Sequence, residues 1–222
     1  MHPVEFYATV CDCKNTNLEC PGIVNSSATG WVPRGFFTEA IRSPVDLLAV
    51  CKNPGHPLSG EVELYRNRSG IEIATEHIEH ARSSFKGDND FLPNARRSTT
   101  FHKNLRRYLS YFLDVPLEDV FGHFAYTNLV KCSSVGERDR LNSKTIEQCF
   151  SLHFVREIAF FKPKVLLACG REIENFLVTA SNRGLHSLPV VYVKHPSYFY
   201  KRENERETLG EIKAEIRSHL AA

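Results

Sequence analysis

The chain has 222 residues, 42% of them hydrophobic and 24% charged, with 28 Lys and Arg against 26 Asp and Glu for a net charge of +2. That length suits one large domain with its own core, and that composition excludes a disordered, collagenous or coiled-coil chain. The near-balanced charge excludes a polybasic protein, so any nucleic-acid contact has to be made by a local basic surface.

Residues 1–45 are rich in Cys, Asn, Thr, Gly and Pro and show little periodicity, which predicts an irregular lobe that a metal would help to hold. The start, Met1-His-Pro-Val-Glu5, lacks the basic and apolar regions of a secretory signal, so a reducing cytoplasm is expected. In that setting the grouping of Cys11, Cys13 and Cys20 points to a metal rather than to disulfides. A helix is expected near 36–42. From Asp46 onward short apolar runs alternate with amphipathic stretches, predicting strands over 46–50, 122–130, 164–169 and 189–194 and helices near 100–113, 144–161, 171–180 and 203–219. Over 72–97 the period is interrupted by His77, His80, Lys86-Gly-Asp-Asn-Asp90 and Pro93, which reads as loop plus a short helix. These elements compose one domain, 1–222, in three α/β/α layers around a central, mostly parallel four-stranded sheet. No apolar run approaches the roughly 20 residues of a membrane helix, and no extended heptad argues for an oligomer, so a monomer is expected.

In an open parallel sheet, side chains converge on a crevice at the carboxyl ends of the strands. There the sequence places Cys51-Lys-Asn-Pro-Gly-His56 after the first strand, Thr127-Asn-Leu-Val-Lys-Cys132 at the end of the second and His195-Pro-Ser-Tyr-Phe199 after the last. An Asn amide on a central strand can offer a base edge both a donor and an acceptor. A His at a strand end can donate to an oxygen on which charge develops.

Taken in order, these three motifs resemble the uracil-DNA glycosylase superfamily. Together with Cys149 and Phe161-Lys-Pro-Lys-Val-Leu-Leu-Ala-Cys-Gly170 they are most similar to its iron-sulfur, family-four branch, although that branch carries Glu or Gln in its first motif where this chain has Asn-Pro-Gly. The resemblance implies a monofunctional glycosylase that flips a base, uracil by default, out of DNA and hydrolyses its N-glycosidic bond, for base-excision repair or for removing modified bases from foreign DNA. In that reading Asn53 holds the water, His195 stabilises the departing base, Asn128 reads the base edge, Tyr65 stacks on it, and His56 with Glu61 shapes the pocket. A catalytically weak DNA- or modified-base-binding module is the alternative, because an amide is no general base.

The resemblance also implies a 4Fe-4S cluster on Cys13, Cys20, Cys132 and Cys149, with Cys11 as an alternative ligand and zinc in the same cage as the lesser possibility. Cys51 and Cys169 read as buried and structural. For DNA, Arg96, Arg97, Lys103, Arg106 and Arg107 form a basic stretch without an acid. Ser197 suits a phosphate, Tyr198, Phe199 and Tyr200 suit a wedge that fills the place of the flipped nucleotide, and Lys201 and Arg202 follow at once.

Overall fold

A computed structural model of the chain describes residues 2–13, 20–21, 25–26, 30–31, 35–40, 44–55, 68–86, 96–134, 142–198, 200 and 202–221. In chain order the elements are α1 (Pro3–Cys11), β1 (Asn25–Ser26), β2 (Gly30–Trp31), β3 (Phe36–Thr38), β4 (Leu47–Cys51), α2 (Gly70–Lys86) and α3 (Arg96–Leu113). They continue with β5 (Phe124–Asn128), α4 (Ser143–Cys149), a π-helical turn (Phe150–Phe154), α5 (Val155–Phe161), β6 (Val165–Cys169), α6 (Arg171–Asn182), β7 (Val190–Val193) and α7 (Arg202–Leu220).

The main sheet runs β3-β5-β4-β6-β7, parallel except for β3, which pairs antiparallel with β5 through Phe36–Thr127 and Thr38–Ala125. Every residue of β4, β5 and β6 is buried. Strands covered on both faces read as continuous apolar runs, which is why they stand out in the sequence. The sheet therefore has five strands rather than four, because the helix expected near 36–42 is this edge strand. Phe36 and Phe37 are both fully buried, as an isolated aromatic pair on a two-sided sheet requires and as a one-sided surface helix does not.

Two further expectations change. The irregular N-terminal lobe opens with a regular helix: the His2 side chain accepts from Val4 N–H, Glu5 takes the His2 N–H at 2.9 Å, and Pro3 occupies the first turn. α1 buries Phe6, Tyr7, Val10 and Cys11 and packs on α2. The loop plus short helix expected over 72–97 is, to residue 86, part of the 17-residue α2, which starts at Gly70. Its buried face is Ile73, Ala74, His77, Ile78, Ala81, Ser84 and Phe85, spaced by three and four, so His77 belongs to the apolar stripe instead of interrupting it. The helix expected over 144–161 is continuous but carries the π turn in its middle. No helix among the described residues is long and apolar enough to cross a membrane.

Candidate active site

The carboxyl ends of β4 and β5 are tied together beyond the sheet. Leu129 N–H donates to Cys51 O at 2.8 Å, Val130 N–H to Lys52 O at 2.9 Å and Ser134 N–H to Gly55 O at 2.9 Å. Gly55 holds the left-handed φ of +80° that the Asn-Pro-Gly turn needs. Between these anchors the Asn53 amide donates from Nδ2 to Ser134 Oγ at 3.1 Å, which orients the group and keeps its carbonyl Oδ1 as an acceptor. The turn and the functional readings of this motif are thus compatible: the backbone makes the turn and the side chain lines a cavity of about 300 Å³.

His195 lines the same cavity. Its loop curls back on the ring, with Ser197 N–H donating to His195 Nδ1 at 3.3 Å and Tyr198 N–H to His195 O at 2.9 Å. The ring lies against Phe101 at a centroid distance of 5.3 Å. Burial lowers its pKa, favouring the neutral imidazole, and an accepting Nδ1 places the single ring proton on Nε2. The loop is clamped from outside by Asn104, whose Nδ2 donates to Pro196 O at 2.8 Å, and by Tyr200, whose hydroxyl accepts from Lys194 N–H at 2.8 Å. Tyr200 is therefore a clamp packed on Tyr108 and not part of a wedge, whereas Tyr198 remains 64% exposed beside Ser197.

Asn128 also lines the cavity, yet its side chain is fully buried and already engaged. Its Nδ2 donates to Gly35 O at 3.1 Å and its Oδ1 accepts from Tyr126 at 3.3 Å, while Gly35 N–H donates to His77 Nε2 at 3.1 Å. A chain of contacts thus runs from α2 through the segment before β3 to the end of β5. At Gly35, φ is +85° and a Cβ would lie 1.7 Å from Asn128 Nδ2. Gly35→Ala is accordingly expected to displace Asn128 and to destabilise the fold by about 1–3 kcal/mol, which thermal unfolding and a base-release assay on the same protein would register.

A family model described as the uracil DNA glycosylase superfamily matches residues 74–217, more than half of the chain. The chain belongs to this superfamily. A search of the curated proteins finds no match. Superfamily members are typically DNA glycosylases that act on DNA, and the matched stretch takes in Asn128 and His195 while stopping short of Asn53. The remaining walls of the cavity come from residues that the sequence did not single out as functional: Gly35, His80, Phe101, His102 and Tyr126, with His77. The three-and-four spacing of His77, His80 and Ala81 on α2 was the available signal.

His56, Glu61, Tyr65, Phe199 and Lys201 lie outside the described residues, as do the side chains of Arg96, Arg97 and Arg202. The basic stretch on α3 is smaller than expected. Arg106 is half-buried and bonded to the protein itself, donating to Leu117 O at 2.9 and 3.0 Å and to Phe85 O at 3.3 Å above the Phe121 ring, and Arg107 pairs with Glu205 at 2.7 Å.

The later cysteines gather with the early ones. Cys20, Cys132 and Cys149 pack around Val130, and the Cys132 thiol is raised well above its ordinary pKa by burial and then by the neighbouring Cys149, Cys13 and Cys20. Burial likewise pushes Cys149 up to about 11, against the opposing charge of Lys131, whose N–H donates to Cys149 Sγ at 3.4 Å. Cys13 Sγ lies 3.0 Å from His153 Nε2. Among the described residues no three His, Cys, Asp or Glu side chains converge closely enough to share one metal ion. Cys11 is buried in α1, and Cys51 lines the cavity with its thiol against that of Cys169 at the end of the neighbouring strand β6.

Proposed function

We propose that this superfamily member is a monofunctional DNA glycosylase that draws a flipped deoxynucleotide, uracil by default, into the cavity and hydrolyses its N-glycosidic bond, leaving an abasic site for base-excision repair or for clearance of modified bases from foreign DNA. The observation that carries the reading is the His195 loop, which presents a neutral imidazole with its proton on Nε2 in the same cavity as Asn53 Oδ1. When the bond from C1′ to the base nitrogen breaks, its electron pair leaves with the base. The Nε2–H is the donor that meets the developing oxyanion. A water accepted by Asn53 Oδ1 then adds to the oxocarbenium-like sugar. Because an amide takes no proton, the water proton passes to solvent or to the departing base anion. In this order bond breaking leads, which is how an Asn serves where a carboxylate is absent.

Asn128 acts as base reader through its second Nδ2 hydrogen, with Tyr65 stacking and His56 beside it. Ser197 and Tyr198 meet the backbone and the gap left by the flipped nucleotide, flanked by Phe199, Lys201, Arg202, Arg96 and Arg97. Cys13, Cys20, Cys132 and Cys149 are proposed to hold a 4Fe-4S cluster, as in the family-four branch. The gathered thiols fit it. Such a cluster would organise the N-terminal lobe against β5 and α4.

Abasic-site formation by anaerobically purified protein tests the reading on oligonucleotides carrying uracil, hypoxanthine, xanthine, hydroxymethyluracil, or hydroxymethylcytosine with and without glucose. Release of one base, with affinity that falls steeply as salt rises, is the expected result. Binding without release of any base would favour the module of weak catalysis, for which the amide character of Asn53 is the argument.

A further inference from the structure

Outside the cavity, a buried imidazole stands at the thiol cage with no part in base excision. His153 is 5% exposed, lies in the π turn four residues after Cys149, and brings its Nε2 to 3.0 Å from Cys13 Sγ. One helix thereby presents both a thiol and an imidazole from the same face. Its other nitrogen, Nδ1, is buried without a hydrogen-bond partner among the described residues.

We propose that His153 belongs to the metal centre as its hydrogen-bonding partner: Nε2–H donates to the Cys13 sulfur and sets the reduction potential of the cluster that the four thiolates hold. This rests on the cluster reading given above. The direction of the bond follows from the chemistry of the donors. A thiolate bound to iron carries no proton, so the proton between Cys13 and His153 has to come from the imidazole. That tautomer leaves a bare lone pair at Nδ1, and a lone pair, unlike an N–H, asks for no acceptor in a buried site. The partnerless Nδ1 is compatible with this arrangement. Lys131 N–H, donating to Cys149 Sγ at 3.4 Å, supplies a second bond of the same kind. Bonds of this type draw negative charge from the sulfur and favour the reduced, more electron-rich cluster, so they raise its potential.

The test uses the full chain purified without oxygen, as wild type, His153→Leu and His153→Gln. Iron and sulfide content, visible absorption and a spectroelectrochemical titration are read for each. Leu is expected to keep its iron and sulfide and to lower the ratio of reduced to oxidised cluster at a given poise by roughly tenfold, about 59 mV for one electron. Gln, which retains an N–H, is expected to fall between the two. An unchanged potential in a loaded Leu protein overturns the proposal, as does loss of iron from a folded Leu protein, which would make His153 a ligand. If the Leu protein does not fold, wild type grown on histidine labelled with heavy nitrogen decides the matter: hyperfine coupling of the reduced cluster to one imidazole nitrogen is expected, and its absence refutes the bond. A wild type that binds no iron fails the cluster reading itself, a result distinct from all of these.

Discussion

Replacing His195 with Ala is expected to lower kcat for base release by about 10²- to 10³-fold, the loss that follows removal of one preorganised donor to a developing oxyanion. Affinity for substrate DNA is expected to change little, because the donor acts on charge that exists only as the bond breaks. Single-turnover base release, with binding measured separately on the same oligonucleotide, checks the split. A parallel fall in affinity and rate would make His195 a binding residue.

The pH dependence follows from the same geometry. Burial depresses the His195 pKa, and the bond from Ser197 N–H to Nδ1 exists only for the neutral ring. An unfolded His titrates at about 6.5. The neutral-ring contribution to stability is therefore complete above that value and is lost as pH falls through the lower native pKa. Base release should persist below the ordinary imidazole range and decline only at the depressed value. A decline at the ordinary imidazole pKa would mean that the ring is solvated and that the loop does not hold it.

Much of the fold was legible because its central strands are buried on both faces: the runs at 47–51 and 165–169 are apolar without alternation, and few other structures explain so short a run. The cavity-lining ends of those strands are legible for the same reason, since the chain has to turn where an apolar run stops. β3 was lost because three residues carry no periodicity and because its partner, β5, lies about ninety positions away. The length of α2 is hidden because His77 and His80 read as polar interruptions. In the fold they are the cavity side of the helix, and His77 gains its place from a contact with Gly35 that no local pattern encodes. The basic stretch misleads in the opposite sense: Arg106 reads as a phosphate ligand until the carbonyls of Leu117 and Phe85 are seen to take three of its five donors.

The second large effect is expected at Lys131, whose Nζ is buried with the Glu157 carboxylate, the two side chains being 1% and 0% exposed. Nζ donates to Glu157 Oε2, to Thr127 Oγ1 at 2.6 Å and to Asn128 O at 2.5 Å, and Thr127 Oγ1 donates in turn to Glu157 Oε1 at 2.7 Å. Removing one member of such a pair leaves the other charge buried and uncompensated, so Lys131→Met is expected to cost about 3–5 kcal/mol. At about 2–4 °C per kcal/mol for a chain of this size, thermal unfolding should fall by roughly 6–20 °C. Replacing both partners, Lys131→Met with Glu157→Leu, should recover most of that loss, since neither charge then remains to be solvated. Recovery of stability without recovery of base release is the telling outcome. Lys131 is the residue through which the two centres touch, its N–H on Cys149 Sγ and its Nζ on the carbonyl of Asn128. An apolar pair can fill the space but cannot hold that carbonyl, so the cavity would lose the position of Asn128 while the fold survived. If the double variant regained both stability and rate, the buried charges would serve packing alone, and the cysteine cage and the base cavity would be neighbours without coupling.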